Sequence, residues 1–128
     1  MKYITLLLLF FVPIIQAQEN NQLSEEKVTA LREAAARGEQ IFGGIMLTQK
    51  CNILSDEEYA EFESKAKAII QVIKQDIGQE KINIQVQRAK IGVASDPYDK
   101  CGDESKEFVL SSKMFVEKTY EILSKKEG

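Results

Sequence analysis

The sequence predicts an all-α domain: a small bundle of about four helices stapled by one disulfide. Three observations carry this expectation. Apolar residues recur at helical steps of three and four over long stretches of the chain. Pro97 is the only proline after residue 17, and so sparse a use suits long helices better than turn-rich strands. Two cysteines, Cys51 and Cys101, follow a leader that marks the chain for export, where disulfides persist.

The leader occupies residues 1–17. Met1-Lys2 is a short basic start, Tyr3 to Ile15 is nearly all apolar, and Ala17 is a small residue ahead of the polar run Gln18 to Gln22. This order is that of a secretory signal peptide, cleaved after Ala17. An uncleaved anchor fits less well, because about 13 helical residues rise only ~20 Å against a hydrocarbon core of ~30 Å. Residues 1–17 carry one lysine and no acid. Removing them from 128 leaves a single domain, 18–128, of 111 residues, and the formal charge moves from −3 to −4. A chain of that size buries roughly two-thirds of its unfolded surface, enough for one modest core.

The first predicted helix begins at Ser24, an N-cap followed by Glu25 and Glu26, where acids suit the helix dipole. Behind it Val28, Leu31, Ala35, Gly38, Phe42, Ile45 and Gln49 recur in alternating steps of three and four. These steps predict one helix over about 25–50, with two helices kinked near Gly38 as the alternative. Gly38, Gly43 and Gly44 either let another helix approach closely or mark that kink.

The second helix has a sharp start. Ser55-Asp56-Glu57-Glu58 is a capping box, and Tyr59, Phe62, Ala66, Ile69, Ile70, Ile73 and Ile77 form one apolar face ahead of Gly78. Residues 79–94 are ambiguous. Ile82, Ile84 and Val86 alternate as in a strand, whereas Ile82, Val86, Ala89 and Val93 fit a helix. A lone strand would have no partner, so helix is predicted. Ser95 to Lys100 reads as a loop. The last helix starts near Asp103 and runs to about Lys125, with Phe108, Ser112, Phe115, Thr119 and Ile122 as its stripe, widened by Val109, Val116 and Leu123.

With two cysteines only one intrachain pairing exists, Cys51–Cys101, and its spacing matches no redox or zinc motif. A bridge closing about 51 residues stabilises by ~4 kcal/mol in the chain-entropy account. Free thiols or an intermolecular bridge are the alternatives.

Little chemistry is written in the remaining residues. Without histidine there is no Ser-His-Asp or Cys-His catalysis and no imidazole ligand. The acidic balance argues against nucleic acid. Asp96, Asp99, Asp103 and Glu104 lack the alternation of a calcium loop, and Gly102 is displaced from the turn position. Glu57, Glu58, Glu61 and Glu63 fall on a solvent face by periodicity, so no carboxylate pair is set up for acid–base work. The reading is therefore non-enzymatic, with no catalytic residue, metal or cofactor.

The order Cys51-Asn-Ile-Leu-Ser-Asp-Glu-Glu-Tyr, a helix, then Cys101-Gly-Asp and another helix resembles small exported two-cysteine helical proteins of proteobacteria, over about residues 40–120. The resemblance implies a periplasmic helical domain and transfers no catalytic residue. The layout also looks like that of small periplasmic acid-stress chaperones with one disulfide.

The function expected is a periplasmic or secreted protein-interaction module whose partner is another envelope or secreted protein, with no stable membrane anchor after cleavage. Tyr98, beside Pro97 and outside any apolar stripe, is the first candidate anchor; Tyr59 is the second, and Phe115 a third if exposed. One alternative is an acid-stress chaperone, gaining positive charge only in strong acid because it has no histidine. The other is a carrier of small hydrophobic ligands along the Ile69–Ile77 stripe.

Overall fold

The computed structural model describes residues 24–125, and the leader lies outside them. Five α-helices make up the described chain: α1 (Glu25–Ala36), α2 (Gly38–Cys51), α3 (Asp56–Ile77), α4 (Gln79–Val93) and α5 (Asp103–Ser124). A 3₁₀ turn, Tyr98–Lys100, precedes α5, and no strand occurs among the described residues.

The single helix expected over 25–50 is two. Ser24 caps α1 by accepting from the Lys27 N–H, and the helix ends at Arg37 (φ −108°, ψ 25°), whose N–H reaches Glu33 O and Ala34 O. The break has an external cause. Gln85, from α4, donates its Nε2 to Ala35 O at 2.8 Å, a carbonyl that an unbroken helix would give to the Glu39 N–H. A Cβ at Gly38 would collide with the Gln85 amide, so glycine is what admits it. On the other side of the break, Arg37 lies 4.0 Å over the Phe115 ring and donates twice to Gln40 Oε1.

The capping box of α3 forms as its spacing predicts. Ser55 Oγ accepts from the Glu58 N–H, and Glu58 Oε1 accepts from the Ser55 N–H. Gly78, at φ 91°, turns the chain directly into α4. The ambiguous segment 79–94 is helical. Ile82 and Ala89, seven residues apart, are its buried positions, while Ile84 faces outward. That pattern is a helix period, because a strand would have put Ile82 and Ile84 on one face.

The core gathers around Phe62, Ile69 and Ile73 of α3, Ile41 and Leu47 of α2, and Val109 and Val116 of α5. The stripe of α1–α2 sits about one residue off its predicted centre, and the face of α5 is buried on the Val109, Val116 and Leu123 side of its predicted stripe. In α1–α2 the buried line is Lys27, Ala30, Ala34, Gly38, Ile41, Gly44 and Thr48, whereas Val28, Leu31, Phe42 and Ile45 are half-buried flanks and Gln49 is exposed. In α5 the line is Ser105, Val109, Ser112, Val116, Thr119 and Leu123, with Phe108, Phe115 and Ile122 flanking. Small side chains among them, Ala30, Ala34, Gly38, Gly44 and Ser112, let helix axes close up, and half-buried large residues seal the sides. Gly44 shows this most sharply, since a Cβ there would stand 2.6 Å from Ser112 Cβ. Ser112 Oγ meanwhile donates to Gln40 O at 3.0 Å. The glycines thus divide the two roles anticipated for them: Gly38 marks a break, and Gly43-Gly44 a close approach.

Cys51 and Cys101 stand at disulfide distance, with Cα atoms 5.4 Å apart. The pair joins the end of α2 to the turn before α5. A second closure ties the described ends together: Lys27, 2% exposed, donates its Nζ to Lys125 O, and Lys125 Nζ lies 3.4 Å from Glu26 Oε1.

Candidate functional site

The two tyrosines expected as anchors are both engaged inside the fold. Tyr98 is half-buried, edge-on to Phe108 with ring centroids 5.2 Å apart at 62°. Its carbonyl accepts from the buried Ser105 Oγ at 2.9 Å, which docks the 3₁₀ turn onto α5. Tyr59 is also half-buried; its hydroxyl accepts from Gln49 Nε2 at 2.7 Å and donates to Glu63 Oε2 at 3.1 Å. Burial, opposed by the Gln49 hydrogen bond, pushes the Tyr59 hydroxyl above its ordinary pKa. Neither ring projects freely from the surface. Phe115 is half-buried as well, beneath Arg37.

Tyr98 instead helps line an apolar cleft of about 250 Å³. Gln40, Gly43 and Leu47 of α2, Ala89, Gly92 and Val93 of α4, and Phe108 of α5 line it as well. Glu39 and Arg88 stand at its edge, with Arg88 Nη1 3.5 Å from Glu39 Oε2. The Ile69–Ile77 stripe proposed for a ligand does not line this cleft: Ile69 and Ile73 are in the central core, almost fully buried.

The carboxylates are arranged as surface pairs and caps. Glu61 reaches Lys65, Glu63 reaches Lys67 and Asp96 reaches Lys100, each four residues along the chain. Asp103 and Glu104 occupy the first turn of α5, where they complement the helix dipole. The Glu58 carboxyl is held below its ordinary range by the Ser55 backbone and side-chain hydrogen bonds. The Lys113 amine is held above its own by the Glu117 carboxylate that accepts from it at 2.8 Å. Among the described residues no three His, Cys, Asp or Glu side chains converge as a metal site.

A second concavity runs between α1 and α5. Ala30, Glu33 and Arg37 form one wall, and Glu107, Leu110, Met114, Phe115 and Lys118 the other, around roughly 520 Å³. Leu110 is 42% exposed and Met114, one turn further, 69%. Among the described residues two other large apolar side chains are exposed, Ile84 and Ile91, two turns apart on α4. Leu110 and Met114 both fall outside the apolar stripe of α5, which is the sequence signal that marks them as exposed. Among the described residues, no helix is long and apolar enough to cross a membrane.

Comparison with known proteins yields no matching family model, no matching curated protein and no matching solved structure.

Proposed function

We propose that this chain is an exported, non-enzymatic interaction domain that offers the α1/α5 groove to a protein partner of the envelope or the secreted space. The observation carrying this reading is the exposed pair Leu110 and Met114 on the lip of the groove. Leucine and methionine one helical turn apart, beside a half-buried ring and flanked by charges of both signs, suit the apolar face of an amphipathic helix laid along them. The flanking charges are Glu33 and Glu107 with Arg37 and Lys118. Ile84 and Ile91 are a weaker candidate, since a full turn carrying Gln87 and Arg88 separates them. The paired cysteines and the absence of a membrane-spanning helix among the described residues are compatible with an exported protein.

Site-directed photocrosslinking tests the reading. A photoreactive residue placed at Met114 in the producing cells should give a discrete adduct that disappears in a Leu110→Asp background. The same residue at Lys67, exposed on α3, should give none. Equal labelling at both positions, or no adduct at position 114, would contradict the proposal.

A further inference from the structure

The cleft beside Tyr98 is separate from the groove and has a different chemistry. Its walls are mainly apolar side chains from three helices and the 3₁₀ turn, with Gln40 of α2 beside them, and glycine contributes to its shape at two places. At Gly92 an added Cβ would meet nothing within 4 Å; at Gly43 it would press to 3.1 Å on the Phe108 ring. Tyr98, one of its lining residues, is held to α5 by the hydrogen bond from Ser105 Oγ to its carbonyl. At the rim, Arg88 from α4 and Glu39 from α2 present opposite charges 3.5 Å apart, with side chains 66% and 47% exposed.

We propose that this cleft binds a small hydrophobic amino acid, or a zwitterion of like shape. Volume is the first argument. An apolar cavity of about 150 Å³ accommodates one benzene ring, so about 250 Å³ holds a ring or branched side chain with a short polar head. Ring chemistry is the second: the Tyr98–Phe108 edge-to-face pair offers aromatic surface to a third ring. Charge is the third. A guanidinium takes an α-carboxylate as a planar fork, and the adjacent Glu39 carboxylate takes the α-ammonium. An exposed ion pair at 3.5 Å contributes little to folding, so it can part for a ligand without loosening the bundle.

The test is a ¹H–¹⁵N NMR titration of the full oxidised protein with two probes, L-phenylalanine and toluene. L-phenylalanine should shift the amides of Gly43, Gly92, Val93 and Tyr98 saturably. Arg88→Gln and Glu39→Gln, both at exposed positions, should each weaken it about tenfold and leave toluene binding unchanged. Gly92→Leu, on a helix with open space at that Cβ, should abolish the shifts from both probes. Absence of saturable shifts from L-phenylalanine would overturn the proposal. So would toluene binding as tightly as L-phenylalanine with both charge variants behaving as wild type.

Discussion

Gly44 of α2 and Ser112 of α5 meet so closely that a single added carbon on the glycine would stand 2.6 Å from Ser112 Cβ and 2.8 Å from its Oγ. This contact sets the spacing of the two helices, and it places Ser112 Oγ within 3.0 Å of Gln40 O. Gly44→Ala should therefore destabilise by about 1–2 kcal/mol, since overpacking of up to roughly 3 kcal/mol outweighs about 1 kcal/mol of helix propensity. Urea denaturation of Gly44→Ala, Ser112→Gly and the double variant should show a coupling of about 1 kcal/mol or more. Additive losses would mean that the two residues do not share the contact.

The sequence made the helices legible and left their seams obscure. The α3 capping box and its isoleucine face appear where the spacing puts them, because cap, acids and period all agree there. The α1–α2 break was not legible as a certainty. Its determinant, Gln85, lies 50 residues away on another helix, and Gly38 alone fits either a kink or a packing site. The α1–α2 stripe slipped by about one residue because Ala34 and Gly44, small residues off the predicted line, take its centre, whereas Ser112 of α5 is buried on the line its spacing predicts. Lys27 had no signal as a buried residue; its burial depends on the far end of α5 coming back beside it. Tyr98 and Tyr59 were legible as residues outside or at the margin of a stripe, but their partners Phe108, Gln49 and Glu63 emerge only in the fold.

The capping box predicts an acid-sensitive contribution from Glu58. Its carboxyl is held below the ordinary value of 4.5, so the folded state favours the ionised form. That contribution is fully present above pH 4.5 and is lost as pH falls through the depressed pKa. Melting temperatures of Glu58→Gln should fall below wild type at neutral pH and converge with it in strong acid. A constant gap at every pH would rule out the ionised cap.

The lip of the α1/α5 groove should be dispensable for folding. Leu110→Ser and Met114→Ser should each shift stability by no more than about 0.5 kcal/mol, as expected of exposed positions. Ile69→Ala, fully buried on α3, should cost about 2–5 kcal/mol. Chemical denaturation compares the three directly. A large loss at Leu110 or Met114 would make them structural residues and remove the argument for a docking surface.

The Cys51–Cys101 link should contribute up to about 4 kcal/mol, because it closes a loop of about 51 residues in the unfolded chain. Cys51→Ala/Cys101→Ala should lower the urea midpoint by a corresponding amount, and reductant should bring the wild type to the same midpoint. A midpoint insensitive to reductant would assign the bundle's stability to packing alone.

The closed link between Cys51 and Cys101 joins the end of α2 to the turn before α5, and the proposed stability of the bundle rests on it. Its most direct measurement is the mass of the purified protein after denaturation and alkylation with no reductant present. The account predicts no added alkyl group before reduction and two after it. Two groups added before reduction would contradict it.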